Sequence, residues 1–191
     1  MRLIITRHGE TVHNVQGVVQ GHIHGKLTET GKEQARKLGK TLQNENIDYI
    51  YSSDLGRAKQ TTQEISKFHP EANVVYDKRL RERDYKKYAG KHKDDINWDE
   101  VENATAEHIE PLEEVRNRLK NFFEDLIEEH PKDTILLVSH GTASRILIGL
   151  IRKKSIEESL QMKMENTSLN IIEIKEDNNH KIHVLNSTDH L

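Results

Sequence analysis

The sequence predicts an α/β fold in three layers, a mostly parallel sheet with helices on both faces. Three observations carry it. Leu3-Ile4-Ile5 and Ile135-Leu136-Leu137-Val138 are apolar runs without polar alternation, the mark of strands buried on both faces of a parallel sheet. Short strands and longer helical segments alternate along the chain. Both buried runs stop at a His-Gly pair, His8-Gly9 and His140-Gly141, at the carboxyl edge where open α/β sheets bind ligands.

The first strand covers residues 1–6. Residues 12–26 hold no period, contain Gly17, Gly21 and Gly25, and read as a loop. Within it, 21–26 is one residue short of a phosphate-cradling P-loop, and Leu27 stands where Ser or Thr should hold Mg²⁺. His22 and His24 there are a solvated pair, with metal ligation the alternative. Thr30 with Glu33 matches a capping box, or Thr28 serves as the N-cap, for a helix whose Ala35, Leu38 and Leu42 repeat as far as about Asn44.

A second strand follows over 49–52. Ser53 and Asp54 are N-cap candidates for a helix running to about Phe68 and stopped by Pro70. Arg57 falls in its first turn, where a cation opposes the helix dipole; a bound anion or an ion pair with Asp54 would each account for it. A third strand at 73–76 leads into a charged run, 78–84. Residues 85–110 show no period and read as a lid or a masked helix. Pro111 then opens an amphipathic helix with Leu112, Val115, Leu119, Phe122, Phe123, Leu126 and Ile127 on one stripe. The second buried strand, 134–138, is followed by a helix over 143–150. Strands at 169–174 and 182–185, joined by the turn residues Asp177, Asn178 and Asn179, form an antiparallel edge.

At 191 residues the chain suits one domain, 1–191, with the 85–110 segment as its lid or specificity element. The net charge of −3 gives no reason to expect nucleic acid or a membrane as partner, so any anion must be held by local cations. There is no cysteine, which removes disulfides, thiolate metal sites and a cysteine nucleophile together. The first apolar run ends at Arg7, too short for a signal peptide or a spanning helix, and a soluble, cytoplasmic protein is expected.

Parallel buried strands would bring His8 and His140 to one edge of the sheet, with Arg7 beside them and Arg57 within reach. Two guanidiniums, two imidazoles and helix N-termini describe a phosphate site. Phosphoryl transfer needs in-line attack, neutralised equatorial oxygens and a protonated leaving oxygen. With neither cysteine nor a paired-aspartate metal motif, the candidate nucleophile is a histidine nitrogen, His8, with His140 as a donor to the phosphoryl group.

Arg7-His8-Gly9-Glu10-Thr11, Ser52-Ser53-Asp54-Leu55-Gly56-Arg57-Ala58, Leu80-Arg81-Glu82-Arg83 and Val138-Ser139-His140-Gly141 resemble the four signature blocks of the histidine phosphatase superfamily, the phosphoglycerate-mutase-like proteins, in order and across most of the chain. The resemblance implies the phosphoglycerate-mutase-like fold, a phosphohistidine on His8, and Arg7, Arg57 and His140 on the phosphoryl oxygens. It also implies that Glu82 is the general acid and then the base that activates water. It places Asn14, Gln20, Gly21, Tyr85, Lys93, Gly141 and Thr142 on the substrate side. The chain departs from the family pattern at His24, Lys26 and Lys86, where Asp, Pro and Gly are usual.

Three functions fit such a site: a phosphatase for small phosphomonoesters, a 2,3-bisphosphoglycerate-dependent phosphoglycerate mutase, and a non-catalytic phospholigand-binding domain. The mutases resemble one another in a longer, basic, proline-rich insertion before the second histidine. Here the interval is short, without proline between Tyr85 and Glu110, and acidic after Lys93. His8, whose loss would mark a non-catalytic member, is present. The expectation is a metal-independent phosphatase with no cofactor, acting on a small phosphorylated metabolite, with a homodimer left open.

Overall fold

The structure is a computed structural model that describes residues 1–177 and 179–191, and of Glu102 the backbone alone. Six strands, β1 (Arg2–Arg7), β2 (Tyr49–Ser52), β3 (Asn73–Tyr76), β4 (Thr134–Ser139), β5 (Leu169–Glu173) and β6 (Lys181–Ser187), form one sheet in the order β3-β2-β4-β1-β5-β6. β1, β2, β3 and β4 run parallel, and β5 and β6 add the antiparallel edge that the sequence predicts.

The unalternating runs do what their composition requires. Leu3 and Ile5 of β1 with Ile135 and Leu137 of β4 face one core, and Ile4 with Leu136 and Val138 faces the other. The first core is closed by α5 (Leu112–Glu129) and α6 (Gly141–Ile151), through Val115, Leu119, Phe122, Ala143 and Leu147. The second is closed by α2 (Glu29–Leu42) and α3 (Gly56–Ser66), through Ala35, Leu38, Leu42, Ala58 and Ile65. Each such Leu or Ile, fully enclosed, contributes about 1.5–3 kcal/mol. Among the described residues, no helix is long and apolar enough to cross a membrane.

Of the two caps the sequence offers, Thr28 and not Thr30 serves α2, its Oγ1 accepting the Gly31 amide at 2.9 Å. Two other boundaries differ from the sequence expectation. Leu55 stands at the N-cap of α3 because Ser53 and Asp54 make tertiary bonds instead. The expected 12–26 loop opens with a single turn, α1 (Val12–Val15), held by a reciprocal Thr11/Asn14 box. A further short helix, α7 (Ile156–Leu160), was not expected; Ser155 and Glu158 cap it in the same reciprocal way. The turn expected at 177–179 includes Asn178, which lies outside the described residues.

The 85–110 segment is a cap built of single turns, 3₁₀ at Lys86–Tyr88 and Lys93–Asp95 and helical at α4 (Trp98–Glu102). Elements this short have no period to display, which is why the sequence shows none. They close over their own apolar cluster, Tyr88, Ile96, Val101 and Ile109. Backbone bonds from Val19 to Lys91, Gly90 to Val19 and Lys93 to Gly17 tie the cap to the 17–21 loop.

Candidate active site

The parallel register pairs Arg7 with Ser139, and the His8 amide continues the ladder onto the Ser139 carbonyl at 2.9 Å. His8 and His140 therefore leave the sheet side by side, their ring centroids 5.3 Å apart. The chain holds this turn tightly. A Cβ on Gly9 would stand 2.3 Å from the Gly31 carbonyl oxygen, so only glycine lets α2 approach. The Gly9 amide donates to Thr61 Oγ1 at 3.0 Å, Thr61 Oγ1 donates to the Arg57 carbonyl, and Asn166 Nδ2 donates to the His8 carbonyl at 2.8 Å.

His8 is 2 % exposed, and its Nδ1 lies 2.7 Å from the Gly9 carbonyl oxygen. A carbonyl only accepts, so Nδ1 carries the ring proton and Nε2 keeps its lone pair. Burial, reinforced by Arg57 and Arg7, holds the pKa of His8 well below 6.5, and the ring is neutral. His140, fully enclosed, is likewise held far below its ordinary value by burial, with Arg57, His8, Arg7 and Arg118 adding to it.

Arg57 is 1 % exposed. Its guanidinium donates to the Ile23 carbonyl at 2.5 Å and the Gly21 carbonyl at 2.9 Å, and Nε has no partner. Arg7 donates to the Met164 carbonyl at 2.8 Å, and its Nε too is buried without a partner. Among the described residues, neither guanidinium forms an ion pair with a carboxylate. Burial lowers the pKa of Arg57 to about 10, against the opposing charge of Glu82, and burial lowers that of Arg7 as well. A buried cation left without a counter-ion costs several kcal/mol, which an anionic ligand would offset. The ion pair between Arg57 and Asp54 offered by the sequence is absent; Asp54 is taken by Arg81 at 2.6 and 2.5 Å.

Glu82 reaches the same place. Its carboxylate accepts the amides of Thr142 at 3.1 Å and Ala143 at 3.2 Å, in the first turn of α6, and its own neighbour's Arg83 amide at 2.9 Å. A Cβ on Gly141 would lie 3.7 Å from both Glu82 Oε2 and Arg7 Nε, so acid and guanidinium flank one point. Arg118 anchors the block from behind, donating to the carbonyls of Arg79, Arg81 and Glu82 and pairing with Glu110.

A cavity of about 170 Å³ opens on these groups, lined by Arg7, His8, Arg57, Glu82, Asn14, Gln20, Gly21 and Tyr85. Gly141 and Thr142 line a second cavity of about 460 Å³ that shares Arg7 and Glu82. Lys93 lines neither: its amide donates to the Gly17 carbonyl and its carbonyl accepts the Trp98 indole at 3.1 Å, so its backbone braces the cap. Sequence reasoning did not single out Val18, Val19 and Trp98 as wall residues, and nothing in their local pattern marks them. His22 and His24, expected to be solvated or to ligate metal, are partly exposed and exposed respectively, and they also brace the loop: His22 Nε2 donates to the Glu82 carbonyl at 2.9 Å and His24 Nδ1 accepts the Gly56 amide at 3.1 Å.

Comparison with known proteins agrees with this geometry. A family model described as the histidine phosphatase superfamily, branch 1, matches residues 3–188. A broad-specificity phosphatase of Saccharomyces cerevisiae is 31% identical over 210 residues, covering 100% of this chain and 87% of its own. Phosphoserine phosphatase 1 of Hydrogenobacter thermophilus is 31% identical over 201 residues, covering 100% of this chain and 94% of its own. The crystal structure of the α-ribazole phosphatase from Shigella flexneri superposes with a TM-score of 0.87 at 27% identity, over 98% of this chain and 96% of that one.

Proposed function

The chain belongs to the histidine phosphatase superfamily, and on that premise we propose that it hydrolyses small phosphomonoesters in the cytoplasm through a phosphohistidine on His8. The observation that carries this reading is the His8 ring, neutral and pinned through Nδ1, beside two buried guanidiniums that have no carboxylate partner. Two relatives that are phosphatases by name match at 31% identity, whereas relatives named probable phosphoglycerate mutase match at 26% and 28%, which favours hydrolysis over the mutase reaction.

His8 Nε2 attacks phosphorus, and the N–P bond forms as the P–O bond to the leaving group breaks. Arg7 and Arg57 balance the charge on the equatorial oxygens, with His140 as a further donor. Glu82 gives its proton to the departing alcohol oxygen. It then takes a proton from the water that attacks the phosphohistidine, and inorganic phosphate leaves with His8 neutral again. The leaving group lies against the wall made by Asn14, Gln20, Tyr85 and Trp98, on the side closed by the cap. The whole chain acts as one domain, with 85–110 as its specificity element.

The test is a panel of phosphorylated metabolites offered to wild type and His8→Ala, including 3-phosphoglycerate with and without 2,3-bisphosphoglycerate. Phosphate release by wild type, an acid-labile phosphoenzyme on rapid quenching, and loss of both in His8→Ala are expected. Isomerisation of 3-phosphoglycerate with little phosphate release would overturn the reading.

A further inference from the structure

The two imidazoles are braced by different partners. His8 donates from Nδ1 to the Gly9 carbonyl, whereas His140 has Nε2 2.8 Å from Ser53 Oγ and no partner for its buried Nδ1. Ser53, itself fully enclosed, accepts the Leu55 amide at 3.3 Å. That amide occupies one lone pair of the hydroxyl. Its single proton has, among the described residues, no acceptor other than His140 Nε2. If Nε2–H donated to Ser53 instead, the hydroxyl proton and the Nδ1 lone pair would both be stranded, each at a cost of about 1–3 kcal/mol in this interior. Nδ1 would then also offer a lone pair where an anion is to sit.

We propose that Ser53 is a positioning residue that fixes His140 as the Nδ1–H tautomer, so that the ring offers a proton to the bound phosphoryl group. Both histidines then carry the same tautomer and use opposite ends of it. In His8 the backbone takes the N–H and leaves the lone pair without a protein partner; in His140 the serine takes the lone pair and leaves the buried N–H without one. The identity of the bound group rests on the phosphatase reading, but the tautomer does not.

The experiment is a long-range ¹H–¹⁵N correlation on the ¹⁵N-labelled, ligand-free protein, run beside phosphatase kinetics. In wild type, His140 Nδ1 is expected to resonate as a protonated, pyrrole-type nitrogen and Nε2 as a pyridine-type one. Ser53→Ala releases Nε2, so the two signals move toward each other while those of His8 stay. With it kcat/KM for p-nitrophenyl phosphate and the affinity for vanadate fall by roughly tenfold to a hundredfold, the scale of one lost transition-state donor. Ser53→Thr keeps the hydroxyl and restores both readouts. A wild-type spectrum with the proton on Nε2, or a Ser53→Ala variant that loses activity with the His140 tautomer unchanged, would overturn the proposal. A protein that hydrolyses none of the esters offered yet shows the Nδ1 proton would refute the proposed function and uphold the role of Ser53.

Discussion

Arg81 grips Asp54 through a two-pronged ion pair, Nε to Oδ1 at 2.6 Å and the terminal nitrogen to Oδ2 at 2.5 Å. The pair joins the segment that carries Arg57 to the one that carries Glu82, so it links the proposed anion-holding cation to the proposed acid. We expect Arg81→Ala to lower kcat/KM by roughly tenfold through misplaced geometry, with Arg81→Lys only partly restoring it because an ammonium cannot make both bonds. A double-mutant cycle with Asp54→Ala should return a coupling of about 1 kcal/mol or more. Additive effects on stability and on rate would show that the pair does not hold the two segments together.

The pH dependence follows from the histidines. An unfolded chain takes up protons at His8 and His140 near their ordinary value of 6.5, while the folded protein, where burial depresses both, does not until lower pH. Unfolded protein therefore binds more protons in that interval, and stability falls as pH drops below about 6.5, by about 1.4 kcal/mol per pH unit for each such group. Asp54, depressed below its ordinary 3.8 chiefly by the bond from Arg81, adds stability that is present above that value and lost as pH falls through its lower folded value. Denaturant titrations between pH 7 and 5 should show a shallower slope in His140→Asn than in wild type. If His8 is the nucleophile, the acid limb of kcat/KM should lie below pH 6.5, since burial keeps its ring neutral there; a limb at 6.5 or above would mean the ring is not desolvated.

Glu82→Gln keeps the shape but has one acceptor oxygen where the carboxylate uses two, so it keeps only one side of the contacts to the Thr142 and Ala143 amides, and it carries no transferable proton. For esters of poor leaving groups such as alkyl alcohols, kcat should fall by roughly a hundredfold or more. For p-nitrophenyl phosphate, whose leaving oxygen needs little protonation, formation of the phosphoenzyme should be far less affected and its hydrolysis should become rate-limiting, giving a burst. Equal losses on both ester types, without a burst, would remove Glu82 from the role of acid.

Lys86 has φ of +42°, left-handed backbone that costs a side-chain-bearing residue about 1 kcal/mol. It is also the position where the family resemblance leads one to expect glycine. Lys86→Gly should therefore raise Tm by about 2–4 °C, less the small loss of the exposed lysine bond to the Ala106 carbonyl. A lower Tm would mean that this bond, and not the backbone, governs the turn.

What could be read from the sequence, and what could not, separates along physical lines. Leu3–Ile5 and Ile135–Val138 were legible because burial on both faces leaves an unbroken apolar run, and His8 and His140 were legible because both runs end at the same edge. Arg57 was legible as a cation in the wrong place for a helix dipole. Glu82 came only from the family resemblance; its surroundings in the sequence are those of a solvated ion-pair cluster. Asp54 and Ser53 were misread as caps because their partners, Arg81 and His140, are distant in sequence. Trp98 and Val18 reach the cavity from segments too short to have a period.

The apolar knot of Tyr88, Ile96, Val101 and Ile109 has no member in common with either sheet core. It meets the framework that carries His8 and Glu82 through Tyr85, which packs against it, and through Glu110, the neighbour of Ile109, which pairs with Arg118. On the proposed reading, selection can rewrite the rim that meets the departing alcohol wherever a change leaves those two links in place. In this architecture choosiness and reactivity are free to drift apart.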